Sequence, residues 1–379
     1  MKKIILFLCA CATLPFVLSA QTKNGKAIVS IQNTSKIKRT GAVTAISWKS
    51  ILSKFPGIDT GNFKVLNAAS KEVPFQLIYK GEDDPQQLLV QLDVAPNAAV
   101  KLSIVPGKAA KAVQKTFGRY VPERKDDFAW ENDKVAFRMY GKALEATPKE
   151  MAYGVDIWGK RTTRMILNER YKRGEYHVDH GDGNDYYHVG LTLGGGDIAP
   201  VVKDKIYYPM NYRNWKILDQ GPLRFTFQLS YDNWDVDGKS VKVTKTISLD
   251  AGSHLNKVEA NYEYAGTEDL PVVVGIIKRA EPGKLLLDEQ QGIMGYWEPQ
   301  HGADGITGVG TIVADPKLKM KVSNEQLLTQ TSTKNGTAIV YYNGTAWNKA
   351  QEITTAAAWF DYLNNFKQAL EQPLKVTVQ

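Results

Sequence analysis

The pattern that most constrains this chain is the recurrence of short β-compatible runs, closed by Gly, Pro and Asn turns, with little helical periodicity between them. Residues 63–66, 74–79, 87–94 and 99–105 form a first group, bounded by Gly61, the segment from Gly81 to Pro85, and Ala95-Pro96-Asn97. A second group, at 130–140, 223–231, 241–249, 258–264, 272–277 and 337–342, alternates in polarity or is rich in Val, Ile, Thr and Tyr. Parallel strands need crossovers of a dozen residues or more, usually helical, and such segments are missing between these runs. The expectation is therefore a mainly β protein with antiparallel sheets. Residues 106–111 lack periodicity and read as a linker, which predicts a small N-terminal β domain over 21–115 and a large antiparallel sandwich over 116–379. Two helices are expected: one over 48–54, and a short C-terminal one carrying Trp359, Tyr362, Leu363, Phe366 and Leu370 at helical spacing. Pro373 ends the latter before a last strand.

The first twenty residues read as a secretory signal peptide: Lys2 and Lys3, an apolar run to Val17, then Leu18-Ser19-Ala20. The run is short for a span, and no later stretch reaches the roughly 20 apolar residues a membrane helix needs. A lipoprotein alternative rests on Cys9 and Cys11, the second with a leucine three residues before it. Removal of this segment discards both cysteines and two lysines, and brings the formal charge from +8 to +6. The mature chain would then be secreted or periplasmic, with neither disulfides nor a thiolate nucleophile. Outside the cytoplasm a basic balance points to an anionic polysaccharide rather than nucleic acid, although scattered lysines that serve solubility explain it equally well.

Residues 120–215 hold ten of the eighteen tyrosines and three of the five histidines. The densest part runs from Tyr171 to His188, and its glycines at 174, 181 and 183, followed by 190 and 194–196, predict a loop system rather than a sheet. A loop this rich in aromatic and titratable groups is a candidate functional site. His177 and His180 with Asp179, Asp182 and Asp185 could ligate zinc, but they lack the helical spacing and the glutamate of a zinc-protease motif. Calcium on Asp179, Asp182, Asn184 and Asp185 does not match EF-hand spacing. The plainer reading is that these aspartates cap turns, so no cofactor or metal is expected. No G-x-S-x-G elbow is present. Paired carboxylates among Asp179, Asp182, Asp185 and Glu298 leave glycoside hydrolysis open.

The mixture of His, Tyr and Arg suits β-elimination from a uronic acid better. A carbanion develops beside an existing carboxylate, so the site needs cations, for which Arg170, Lys172, Arg173 and Arg213 are candidates. A base and an acid are also required. His177 or His188 is the expected base and Tyr187 the expected acid, with His180 and Tyr186 as further candidates. Trp158, Tyr208, Trp215 and Trp297 are candidates to stack on sugar rings. A second cluster, from Tyr296 to Gly302 with Glu298 and His301, together with Lys278 and Arg279, is expected to complete the cleft. His254 reads as a turn histidine.

The strings Asp156-Ile157-Trp158-Gly159-Lys160-Arg161, Tyr176 through Gly183, Thr192 through Gly196, Asn211-Tyr212-Arg213 and Tyr341 through Gly344 resemble a secreted bacterial family labelled domain of unknown function 4861. The resemblance covers most of the mature chain. It implies a branch similar to an oligosaccharide dehydratase of ulvan breakdown, and an N-terminal domain similar to that of exo-acting rhamnogalacturonan lyases. It also implies a galactose-mutarotase-like supersandwich and elimination chemistry on a terminal uronate. The family's catalytic residues are not carried over, so the roles above rest on chemistry alone.

Overall fold

The computed structural model describes residues 25–315 and 317–379; the expected signal peptide lies outside them. The fold is mainly β and antiparallel. Near the N-terminus, a four-stranded sheet orders Lys375–Val378, Ala27–Gln32, Ala99–Pro106 and Phe63–Asn67. A three-stranded sheet, Arg39–Ser47, Gln87–Val94 and Phe75–Ile78, accompanies it. Alternation places Ala27, Val29 and Ile31 inward, and they share a core with Trp48, Phe63, Leu88 and Ile104. The short helix α1, Trp48–Lys54, starts where Ser47 Oγ accepts from Ser50 N at 3.3 Å. The chain returns here at its end, with Val29 opposite Val378 and Gln32 opposite Lys375, so the last strand joins the N-terminal sheet instead of the sandwich.

The sandwich is built on a nine-stranded sheet running from the edge strand Asn214–Gln220 through Lys239–Asp250 and Leu255–Tyr264 to the other edge, Lys284–Asp288. A five-stranded sheet containing Gly195–Val202 and Leu270–Ile277, and a four-stranded sheet from Thr116–Val121 to Asp156–Trp158, share one core with it. Phe128, Phe227, Ile247, Ile198, Val274 and Tyr262 meet in that core, where full burial of each large apolar side chain contributes about 1.5–3 kcal/mol. The C-terminal helix, Ala356–Glu371, covers the opposite side of the large sheet. Gly308 and Gly310 let Trp359 and Leu363 sit directly on the strand, since a Cβ at Gly310 would lie 2.7 Å from Leu363 Cδ2. The small unit is fastened to the large sheet by Gln76, which accepts from the N–H groups of Leu223 and Arg224 at 2.8 Å, and by Asp219, which accepts from Tyr79 N at 2.6 Å.

Two sequence expectations need correction. Residues 130–140 are not one strand but a hairpin of Asp127–Asn132 and Ala136–Met139, because Asn132 Oδ1 accepts from the N–H groups of Lys134 and Val135 and turns the chain. The loop system is preceded by a short helix, α2, Leu167–Arg173, which Gly174 closes in the left-handed region at φ 78°. Its first N–H groups find their acceptor far away in sequence: Glu131 Oε1 takes Ile166 N at 2.7 Å and Leu167 N at 2.9 Å.

Candidate functional site

After α2 the chain runs without regular structure to Gly194, and buried polar contacts fix its path. Arg170 Nη2 donates to the carbonyls of Gly159 (2.9 Å) and Asp182 (2.8 Å), clamping the loop to the end of Asp156–Trp158. At that clamp Gly183 has φ +108°, and a Cβ there would fall 2.1 Å from Gly159 O, so only glycine fits. Asp179 accepts from Gly181 N and Gly183 N and pairs with Arg161 at 3.0 Å, the turn-capping role expected for it.

Beyond the clamp, four segments meet: residues 184–188, Arg279 just after Leu270–Ile277, residues 298–307, and the end of Ile339–Trp347. Asn184 Nδ2 donates to Asp304 Oδ1 at 2.9 Å, and Trp347 Nε1 donates to Asp304 O at 2.8 Å. Asp304 in turn holds His301 through Nδ1 at 3.1 Å, which assigns the Nδ1 proton and leaves Nε2 without a hydrogen-bond partner among the described residues, on a side chain that is 64% exposed. The His301 ring stacks on Tyr186, centroids 5.3 Å apart. The Tyr186 hydroxyl meets Thr307 Oγ1 at 2.5 Å, and burial pushes its pKa up so that it stays protonated. Glu298 is buried against Arg279 Nε at 2.8 Å; desolvation outweighs the arginine and raises its carboxyl to about 7. Arg279 also donates Nη1 to His188 O at 2.7 Å and lies over the Tyr187 ring at 4.6 Å. Among the described residues its Nη2 has no hydrogen-bond partner.

The structure brings together Tyr186, Glu298, His301, Arg279 and the backbone of His188, so the downstream cluster does meet the tyrosine- and histidine-rich loop. His177 lies beside them. Its Nδ1 donates to Asp185 O at 2.7 Å, its ring is 68% exposed, and its carbonyl accepts from Asn184. His180 sits 3.6 Å from Glu175. The His188 side chain is exposed, as is Lys172 on α2.

Other expected site residues are committed elsewhere. Tyr187 is buried with its hydroxyl on Gly194 O at 3.3 Å, so it cannot reach a ligand as an acid. Arg170 is fully buried in the clamp, and Arg173 leans on Asp182 at 3.3 Å. Arg213 is held between Glu145 (2.6 Å) and Asp232 (2.7 Å), which satisfy its fork. Trp158 and Trp297 are core residues, the first stacked on Tyr176 at 5.4 Å and the second packed on Gly308. Trp215 is 42% exposed, stacked on Tyr120 and away from this cluster in the edge strand. Tyr208 stacks on Tyr153 at 5.0 Å and accepts from Gln326 at 2.8 Å. His254 is buried, with Nδ1 on Thr345 O at 2.9 Å.

One polar network escaped the sequence reading. Arg138, buried, faces three carboxylates: Asp156 at 2.5 Å, Asp185 at 2.9 Å and Asp127 at 3.5 Å. Burial raises Asp127 to about 6 and pushes Asp185 up as well. Nearby, Lys160 and Glu131 form a fully buried pair at 2.5 Å. Asp182 and Asp185, considered for metal, thus face arginines, and among the described residues no three His, Cys, Asp or Glu side chains gather as a metal site.

Fold and loop cluster together define a large antiparallel β-sandwich protein whose candidate site is built from the loops that leave the sheets. A family model described as Domain of unknown function (DUF4861) matches residues 31–376, and the chain belongs to that family. It is 30% identical over 400 residues to "Uncharacterized protein P7" of Formosa agariphila, covering 99% of each chain. Among solved structures it is similar to a protein in the Glycosyl Hydrolase Family 38 from Enterococcus faecalis, with TM-score 0.56 and 9% identity over 94% of this chain and 48% of that one. An alpha-mannosidase from Enterococcus faecalis V583 matches at TM-score 0.48 and 8% identity, over 93% of this chain and 46% of that one. The chain spans about half the length of these structures, and the first likeness is one of fold.

Proposed function

We propose that this protein is a secreted carbohydrate-active lyase that eliminates water from the terminal uronate of an anionic oligosaccharide, such as an ulvan fragment. The observation that carries the proposal is the Asp304–His301–Tyr186 arrangement beside the Arg279–Glu298 pair. His301 Nε2, with the other ring nitrogen fixed on Asp304, takes the proton from the carbon beside the carboxylate. The C–H electrons form the new C=C bond as the C–O bond breaks. Tyr186, kept protonated by burial, returns a proton to the departing oxygen. Arg279, whose Nη2 is available, balances the negative charge that builds on the substrate carboxylate. An exo-acting lyase would use the same step with a glycosyl oxygen leaving.

Glu298, held at about 7, favours a second reading, hydrolysis with this carboxyl as general acid; the fold likeness to a glycosyl hydrolase family protein is compatible with it. The test is incubation with saturated uronate oligosaccharides. Elimination produces the ultraviolet absorbance of an unsaturated uronate, whereas hydrolysis produces reducing ends and no chromophore. Non-catalytic binding leaves the sugars unchanged.

A further inference from the structure

The Gly190–Leu193 turn that follows His188 runs from the candidate site toward a hollow on the outer face of the five-stranded sheet. Gly190 O accepts from Tyr153 N at 3.3 Å, and Leu193 N donates to Gln326 Oε1 at 2.8 Å. Gln326 donates onward to the Tyr208 hydroxyl at 2.8 Å. Tyr208 stands nearly parallel to Tyr153, at 9° with centroids 5.0 Å apart, so its ring is held rigid while remaining half-buried. It walls a cavity of about 260 Å³ with an apolar floor of Val201, Ile206 and Leu328. Ser323, Gln326 and Gln330 add hydrogen-bonding groups. The two charged groups in the lining, Asp204 and Lys321, pair with one another at 2.9 Å.

We infer that this hollow is a distal subsite for a neutral pyranose ring of the same oligosaccharide, an inference that rests on the proposed carbohydrate function. A sugar ring has an apolar C–H face and a rim of hydroxyls, and the hollow offers a fixed aromatic wall, an apolar floor and amide and hydroxyl partners. Its self-neutralised charge matches an uncharged unit, in contrast to Arg279 at the candidate site. Ile277 pairs with Gln326 and Lys278 N donates to Glu325 O at 2.7 Å, so Arg279 stands two residues along the strand from a residue that lines the hollow, and a chain with its uronate on Arg279 would extend its later units toward it.

The test uses uronate-terminated di- and tetrasaccharides whose other units are neutral, with turnover and calorimetric binding measured in parallel. Tyr208→Ala removes the wall. Gln330→Trp fills the hollow from its rim and leaves the tyrosine stack intact, which guards against a folding defect in the first variant. The wild-type protein should prefer the tetrasaccharide over the disaccharide by roughly five- to tenfold in KM and Kd, the gain expected of one well-packed ring. Both variants should lose that preference while disaccharide turnover is unchanged. Turnover of both sugars with equal length preference in all three proteins would overturn the subsite and leave the lyase reading standing. Tighter tetrasaccharide binding, lost in the variants but without turnover, would support the subsite and overturn the lyase. Binding that is equal in all three proteins, or absent, would overturn the subsite whatever the turnover.

Discussion

Asn184 donates its side-chain N–H to Asp304 across 120 residues of sequence, at 2.9 Å, and so joins the loop that carries His177 and Tyr186 to the loop that carries His301. The same amide nitrogen approaches His177 O at 3.4 Å, and Asn184 is 2% exposed. Neither histidine lies in a strand of the sheets, and this bridge ties their two loops together.

Removing the bridge should therefore uncouple the two loops. Asn184→Ala is expected to lower turnover at least tenfold and to destabilise by about 0.5–1.5 kcal/mol, since the half-exposed Asp304 exchanges this donor for water. Asn184→Asp should be worse, because it sets a second carboxylate against Asp304. Steady-state kinetics and chemical unfolding on the three proteins check both statements.

Glu298 predicts a pH dependence of defined sign. Its folded-state pKa, about 7, lies above the ordinary 4.5, so ionisation is harder in the folded protein than in the unfolded chain. Stability from this group is therefore greatest below the ordinary value and declines as pH rises through about 7, by on the order of 3 kcal/mol in the limit. The same ionisation partly neutralises Arg279, so KM for an anionic substrate should rise across that window. Glu298→Gln should flatten both trends, as read from unfolding free energies and KM at pH 5 and pH 8.

The loop glycines separate into two kinds. Gly183→Ala must displace the Gly159 carbonyl, and should cost more than the roughly 1–2 kcal/mol of left-handed strain that any L-residue meets there. Gly181, at φ +96° with nothing within 4 Å of where a methyl group would sit, should cost that strain alone when changed to Ala. Paired thermal melts distinguish the two, and only the first should also reduce turnover.

The Lys160–Glu131 pair should act as a structural unit. Lys160→Met strands a buried carboxylate and is expected to cost about 3–5 kcal/mol. Adding Glu131→Gln should recover part of that loss, because the neutral amide oxygen can still accept from α2. Urea unfolding in a double-mutant cycle measures the coupling.

The architecture was largely legible because strand alternation is a local property: Lys239–Asp250 and the helices Trp48–Lys54 and Ala356–Glu371 follow directly from residue spacing. The meeting of the 184–188 and 298–304 loops was legible in outline, since both were dense in aromatic and titratable residues between β segments. Which side chain faces solvent was not. Tyr186 and Tyr187 are adjacent and chemically alike, yet the second is buried under Arg279, and only three-dimensional packing separates them. The arginines misled for a related reason. Arg170 and Arg213 look like ligands for an anion in sequence, but their acceptors are carboxylates and carbonyls of this chain, supplied from residues up to 68 positions away. Arg138 was invisible because a single cation inside a short apolar strand carries no periodic signal, while its three aspartates come from separate segments.

The most direct test of the central claim is product analysis of a saturated uronate oligosaccharide, blocked at its reducing end as a methyl glycoside, incubated with the protein in heavy-oxygen water. The expected product is lighter than the substrate by one water, absorbs in the ultraviolet and is free of solvent-derived heavy oxygen, with Tyr186→Phe and His301→Ala each slower by roughly 10²–10⁴-fold. A product cleaved by addition of water that carries heavy oxygen, or elimination that proceeds undiminished in both variants, would contradict it.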